Sequence, residues 1–81
     1  MKQHILVVDD EAPIRDLLSA YFQKHGYEIS TAGTASEACA TLTEKAIDLV
    51  VLDVLLPDMD GLEVLGRMKA ARPNLPVIIM T

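Results

Sequence analysis

Short apolar runs alternate with helical apolar patterns along the whole chain. Three mostly apolar runs occupy residues 4–8, 49–52 and 77–80, and aspartate follows each of the first two directly. Runs of this length are typical of strands that are buried on both faces of a parallel sheet. Residues 27–31 alternate in polarity instead, which predicts a further strand near the edge of the sheet.

The segment between the first two predicted strands has the pattern of an amphipathic helix. Apolar residues recur over 14–22 at the spacing i, i+3, i+4, i+7 and i+8, which places them on one helical face. Pro13 lies in the predicted first turn and Gly26 lies just past the end, and both positions are favoured by these residue types.

Two more helices follow from capping signals. Thr34 and Glu37 form a capping box that begins a helix extending through Lys45. A third helix is predicted over about 61–71, with Asp60 as its N-cap. The basic residues at the end of this helix are expected to be solvated charges; they are Arg67, Lys69 and Arg72.

The predicted order of elements is therefore β-α-β-α-β-α-β. Strands that alternate with helices through short joints favour right-handed crossovers and a parallel sheet with helices on both faces. The predicted fold class is α/β, doubly wound. In the spatial order 2-1-3-4 the first and third strands are neighbours, so Asp9, Asp10 and Asp53 converge at the carboxyl ends of the strands, where ligands bind in such folds.

Composition narrows the class of protein. A chain of 81 residues that is 51% apolar and 23% charged fits one small domain and excludes a multidomain enzyme. Its net charge of -5 has the wrong sign for direct binding to nucleic acid. No apolar run approaches the roughly 20 residues that cross a bilayer, and Cys39 is the single cysteine. We therefore expect a cytoplasmic protein without membrane contact.

The three aspartates suggest both a metal and a nucleophile. Two carboxylates about 4 Å apart repel by roughly 4 kcal/mol at an effective dielectric constant of 20, so a cation is expected to offset the repulsion. Mg²⁺ binds through one or two carboxylates and recruits phosphate oxygens. Asp53 stands alone at its strand end, and an aspartate that faces a phosphoryl group can form an acyl phosphate.

Three other interpretations of the acidic residues fit the sequence less well. A general acid and base pair lacks polar neighbours placed to hold a sugar or a peptide. An EF-hand loop around residues 58–61 would need ligands at Leu56 and Arg67, which are unsuitable. A phosphatase of the haloacid-dehalogenase type would need a second aspartate where this chain has Leu55. Metal binding with Asp53 as nucleophile is the favoured hypothesis.

Three motifs in order carry a family resemblance. They are ILVVDDE at 5–11, DVLLPDMDG at 53–61 and VIIMT at 77–81. Together they resemble the receiver domain of bacterial two-component response regulators, over the whole chain. The resemblance implies a flavodoxin-like topology and a signalling module, not an enzyme with turnover, that accepts a phosphoryl group from the phosphohistidine of a sensor histidine kinase.

The resemblance also implies a role for each site residue. Asp53 would be the phosphoacceptor, and Asp10, Asp53 and the backbone carbonyl of Leu55 would ligate Mg²⁺ directly. Asp9 would act on the ion through water. Thr81 matches the switch hydroxyl that bonds the phosphoryl oxygen after modification.

The resemblance covers only part of the family's pattern. Residues 1–81 correspond to the N-terminal portion of a receiver, so we expect the fifth strand, the last two helices, the site lysine and the switch aromatic to be absent. The predicted fourth strand and first helix would then be exposed, which predicts a homodimer or a domain-swapped oligomer. An alternative function is a structural or dimerising scaffold without competent phosphotransfer.

Overall fold

The computed structural model describes residues 2–80, and four strands alternate with three helices over that range in the predicted order. The strands are β1 (His4–Val8), β2 (Glu28–Ala32), β3 (Leu49–Asp53) and β4 (Val77–Met80). The helices are α1 (Ala12–Lys24), α2 (Ala35–Glu44) and α3 (Gly61–Ala71). None of the helices in this range combines the length and the hydropathy that a bilayer crossing requires.

The four strands form one parallel sheet in the order β2-β1-β3-β4. β1 lies between β2 and β3, and its residues 5–8 are at most 1% exposed. A strand that is covered on both faces needs apolar residues at successive positions, which explains the unbroken apolar run. The predicted fold class and strand order are thereby confirmed, and β2 is an edge strand as its alternation indicated.

The helix ends follow the capping signals in the sequence. Thr34 Oγ1 accepts a hydrogen bond from the Glu37 N–H at 3.2 Å, and Asp60 Oδ1 accepts one from the Leu62 N–H at 2.8 Å. Gly26 follows α1 with φ of 89°, a left-handed conformation that glycine adopts without steric cost. Local sequence therefore accounts for the start of α2, the start of α3 and the end of α1.

The sheet has two differently covered faces. On the α2/α3 face, helices α2 and α3 pack over a cluster of twelve buried residues that includes Leu6, Val50 and Leu52. On the α1 face, helix α1 packs over only three, namely Ile5, Val7 and Val51. Alternate residues of each strand point to opposite faces, so successive residues of β3 lie on the α2/α3 face and on the α1 face in turn.

The basic residues around the end of α3 are not all solvated, which corrects the prediction for two of them. Arg72 Nη1 donates to the Ile47 carbonyl at 2.6 Å, and Arg72 Nη2 donates to the Lys45 carbonyl at 2.9 Å. Lys69 Nζ donates to a carbonyl in the turn after α3 at 2.6 Å. Only Arg67 fits the prediction, with a side chain that is 60% exposed. Arg72 thus joins the end of α3 to the end of α2.

Candidate functional site

The predicted site residues meet because of the strand register. Val8 of β1 pairs with Leu52 of β3, so Asp9 and Asp53 leave the sheet side by side. One carboxylate oxygen from each of Asp9, Asp10 and Asp53 lies within 4.8 Å of the others. We call these three residues the acidic pocket. The structure therefore brings together the three carboxylates that the sequence placed at neighbouring strand ends.

The three carboxylates differ in burial and in hydrogen bonding. Asp9 is buried, with 5% exposure, whereas Asp10 is exposed and Asp53 is half-buried. Asp9 Oδ1 accepts the Glu11 N–H at 2.9 Å, and Asp53 Oδ1 accepts the Leu55 N–H at 2.9 Å. Within residues 2–80 the Oδ2 atoms of Asp9 and Asp53 accept no hydrogen bond from protein. Each of these two carboxylates thus has one oxygen fixed and one available.

The charge balance of the acidic pocket fits a divalent cation. Among the residues that the structure describes, no lysine, arginine or histidine nitrogen lies within 4.0 Å of these carboxylates, since the two ion pairs found are elsewhere. Carboxylate pairs at such distances repel by about 4 kcal/mol at an effective dielectric constant of 20. A cavity of about 210 Å³ opens between Asp9 and Asp53. Hard oxygen ligands around a small, open space are the environment that Mg²⁺ prefers.

Residues 54–60 form a tightly closed loop after β3, which we call the site loop. Leu55 and Asp60 pair across its base as an isolated antiparallel bridge. Gly61 packs so closely that a Cβ atom there would lie 2.5 Å from the Val54 Cα, a distance that no side chain tolerates. The side chain of Leu55 is 75% exposed, and its backbone N–H contacts Asp53. The role of its carbonyl as a metal ligand stays a prediction.

Arg15 supports the pocket and was missed in the sequence. Its Nη1 donates to the Asp9 carbonyl at 2.7 Å, and the Asp9 N–H donates to the Ala32 carbonyl at 3.1 Å. Together these bonds fix the backbone that presents the buried carboxylate. Arg15 lies in the first turn of α1, where the helix dipole disfavours a cation. A cation at this unfavourable position in the sequence could have indicated that the Arg15 side chain has a specific hydrogen-bond partner.

Asp58 is the second residue that sequence reasoning missed. Its Oδ1 accepts the Ala35 N–H at 2.8 Å, and its Oδ2 accepts the Ser36 N–H at 3.1 Å and the Ser36 Oγ–H at 3.3 Å. These bonds, the one from Ala35 foremost, hold the pKa of the Asp58 carboxyl below its usual value. The site loop is thereby attached to the N-terminus of α2. No local pattern reveals this, because the partners precede Asp58 by 22 and 23 residues.

The last predicted site residue, Thr81, lies outside the described residues. Its role as the switch hydroxyl therefore stays a prediction. Its neighbour Met80 pairs with Asp53 across β3 and β4 and lines the cavity beside the acidic pocket.

Comparison with known proteins gives the same assignment along almost the whole chain. Residues 5–81 match the response regulator receiver domain family. The chain is 46% identical over 81 residues to sporulation initiation phosphotransferase F of Bacillus subtilis, covering 100% of this chain and 65% of that protein. A CheY-like receiver domain protein from Methanospirillum hungatei superposes with a TM-score of 0.95 at 34% identity, covering 98% of this chain and 63% of that one. The chain thus spans just under two thirds of both.

The response regulator TrrA of Thermotoga maritima has been solved in two relevant complexes. Its complex with Mg²⁺-BeF matches with a TM-score of 0.85 at 42% identity, over 95% of this chain and 65% of TrrA. Its complex with the histidine kinase ThkA matches with a TM-score of 0.91, also at 42% identity, over 98% of this chain and 68% of that chain. With the family match, the parallel sheet and the acidic pocket in agreement, this chain belongs to the receiver domain family of response regulators.

Proposed function

We propose that this chain accepts a phosphoryl group on Asp53 from the phosphohistidine of a sensor histidine kinase, and that the modification changes its conformation. The observation that carries the proposal is the convergence of Asp9, Asp10 and Asp53 at the carboxyl edge of the sheet. The kinase complex of TrrA supports the class of partner. The single cysteine, Cys39, supports the cytoplasm as the location of this exchange.

Mg²⁺ is the cofactor that these residues fit. The carboxylates of Asp10 and Asp53 and the carbonyl of Leu55 would hold the ion, with Asp9 acting through water. When bound, Mg²⁺ supplies positive charge that offsets the charge on the phosphoryl oxygens. The Mg²⁺-BeF complex of TrrA supports this choice of metal, as does the absence of a protein cation near the carboxylates within residues 2–80.

The reaction uses the available oxygen of Asp53. Because Oδ1 accepts the Leu55 N–H, the carboxylate is held in one orientation and Oδ2 is presented to the donor. This oxygen forms a new O–P bond while the N–P bond of phosphohistidine breaks. The electron pair of the broken bond returns to the imidazole, which takes a proton from solvent. Asp53 is itself modified, so the domain acts as an acceptor in signalling and has no turnover. Thr81 would then bond a phosphoryl oxygen as the switch hydroxyl.

The proposal is tested with a small acyl-phosphate donor and Mg²⁺, followed by intact mass measurement. The wild type should gain one phosphoryl group, and Asp53→Asn should gain none. Asp48→Asn is the matched control, since Asp48 directly precedes β3 at the end of the strand away from Asp53. This variant should react like the wild type. Asp10→Ala or omission of Mg²⁺ should slow the gain strongly. A wild type that gains no mass while a complete receiver reacts in parallel would contradict the proposal.

A second candidate function is a scaffold that pairs through β4 without competent phosphotransfer. In the described range β4 pairs only with β3, and Ile78 and Ile79 are 53% and 40% exposed. Leu17 and Tyr21 of α1 are also exposed. An open apolar edge favours association with a second copy. Sedimentation at micromolar concentration should then show a dimer that Ile78→Lys dissociates, and a well-folded wild-type monomer would exclude this function.

A further inference from the structure

We propose that Asp58 is a positioning residue for the acidic pocket. Its carboxylate, bonded to the N-terminus of α2, holds the site loop in the conformation that sets Leu55 against Asp53. The inference rests on the proposed function, because the site loop matters to phosphotransfer only if Leu55 and Asp53 serve the metal and the phosphoryl group. It assigns to Asp58 a role distinct from that of any residue in the acidic pocket.

The attachment of Asp58 is directional and involves both carboxylate oxygens. Oδ1 accepts from the buried Ala35 backbone at 2.8 Å, and Oδ2 accepts from the Ser36 backbone and hydroxyl at 3.1 and 3.3 Å. A carboxylate held through both oxygens cannot rotate without breaking a bond to a charged group, and such bonds are stronger than neutral ones. The tip of the site loop is thus fixed to a helix that packs on the sheet.

Helix α2 also has a local N-cap that does not involve Asp58. Thr34 Oγ1 already accepts the Glu37 N–H, and the Thr34 carbonyl accepts the Ala38 N–H. Asp58 accepts the two remaining donors of the first turn, from Ala35 and Ser36. The Ala35 and Ser36 N–H groups, which the local cap leaves without an acceptor, therefore donate to a residue 23 and 22 positions later in the chain. These bonds therefore connect two segments in addition to ending a helix.

The segment between Asp53 and Asp58 is short, so its backbone has little conformational freedom. Leu55 lies three residues before Asp58 in the sequence, and its N–H donates to Asp53 Oδ1 at 2.9 Å. The base of the loop is closed by the Leu55–Asp60 bridge and by the contact of Gly61 with Val54. With the base closed and the tip attached, the backbone at Leu55 is constrained from both sides. Release of the tip should loosen the bond that orients the phosphoacceptor.

The test compares Asp58→Ala, Asp58→Asn and Thr34→Ala in the full 81-residue chain by NMR. Two readouts are taken: hydrogen-exchange protection of the Leu55 amide without metal, and the Kd for MgCl₂ from the shifts of the Asp10 and Asp53 amides. Thr34→Ala weakens the start of α2 without touching the site loop, so it separates helix stability from loop position. Asp58→Asn keeps an acceptor for the Ala35 N–H and loses the charge and the Ser36 acceptor.

We expect Asp58→Ala to lose the protection of the Leu55 amide and to bind Mg²⁺ about tenfold more weakly, as residues that orient metal ligands do. Asp58→Asn should lie between Asp58→Ala and the wild type, and Thr34→Ala should match the wild type in both readouts. Wild-type protection of Leu55 in Asp58→Ala would overturn the inference. If that variant does not fold, Asp58→Asn decides, and wild-type values in it would overturn the inference equally.

The two proposals fail in distinguishable ways. A wild-type chain whose Asp10 and Asp53 amides do not respond to Mg²⁺ would remove the proposed function. The protection of the Leu55 amide is measured without metal and would still decide whether Asp58 positions the site loop.

Discussion

Strand residues are buried on both faces of the sheet, but the helices on the two faces contribute very different numbers of buried residues. Residues 5–8 of β1 are at most 1% exposed whichever way they point. On the α2/α3 face, both helices contribute buried residues to a cluster of twelve. On the α1 face, helix α1 contributes no buried residue and the cluster has three. The difference teaches that the burial of strand residues does not show how tightly a helix packs on them. Helix α1 excludes solvent from the strands beneath it although none of its own residues is buried.

The largest effect is expected from adjacent residues of β3 that point to opposite faces. Val50→Ala removes a side chain that is 0% exposed on the α2/α3 face, and it should lower the free energy of unfolding by about 2 to 3 kcal/mol. Val51→Ala makes the same change on the α1 face, where α1 has room to settle, and should cost about 1 kcal/mol less. Urea unfolding of both variants provides the measurement.

Equal losses in the two valine variants would show that α1 packs as firmly as α2 and α3 do. The comparison is well matched, since the two residues share chemistry, strand and near-complete burial, at 0% and 5% exposure.

A glycine pair tests how closely α3 approaches the site loop. Gly61→Ala introduces a Cβ that would lie 2.5 Å from the Val54 Cα, so the backbone must shift, at a cost of about 1 to 3 kcal/mol. Gly66→Ala is the matched control in the same helix, with nothing within 4 Å of the added atom. It should stabilise the chain by about 0.4 to 1 kcal/mol. Thermal unfolding of both variants checks the opposite signs.

The attachment of α2 to the site loop should weaken in acid. The pKa of Asp58 is lowered in the folded chain, chiefly by the Ala35 N–H, so its stabilising contribution is complete above the ordinary pKa of an aspartate, about 3.9. That contribution is lost as the pH falls through the lowered pKa. The wild type should therefore exceed Asp58→Asn in Tm at pH 7, and the difference should shrink below about pH 4.

A Tm difference between these two chains that stays constant from neutral pH to acid would contradict an ionised Asp58 at the start of α2. Titrating Asp58 by NMR in the wild type gives an independent reading of the direction of its pKa shift.

The smallest effect is expected on the outer surface of α1. Leu17 is 66% exposed, so Leu17→Gln should change the free energy of unfolding by less than about 0.5 kcal/mol. Leu62 of α3 is 75% exposed and provides a matched substitution, Leu62→Gln, on the other face. A clear loss for Leu17→Gln alone, growing with protein concentration, would mean that a second copy covers α1.

Much of the fold followed from local pattern. The apolar run that ends at Val8 and the one that ends at Leu52 predicted two buried strands, and their register then brought Asp9 and Asp53 together. The caps at Thr34 and Asp60 were visible because each bond spans two or three residues. Such caps can be predicted from the sequence because the capping side chain and its N–H donor lie within one helical turn of each other.

The remaining features depend on contacts between distant segments. Arg72 was expected to be solvated, yet its hydrogen-bond partner Ile47 precedes it by 25 residues, and nothing near Arg72 in the sequence records that contact. The apolar stripe of α1 predicted an amphipathic helix, but the stripe alone does not record that Leu17, one of its members, is largely exposed. Which face receives two helices is decided by the topology of the crossovers and not by the strength of one stripe.

Helix α2 is held at both ends by residues that come later in the chain, and this bears on the order of folding. Asp58 accepts donors at its N-terminus, and Arg72 donates to the carbonyl of Lys45 just past its C-terminus. A ten-residue helix is marginal by itself. During synthesis α2 leaves the ribosome before either of these residues does, so it should gain lasting helical structure only after residue 72 has emerged. Until then the crossover between β2 and β3 would lack the tertiary contacts that hold its helix.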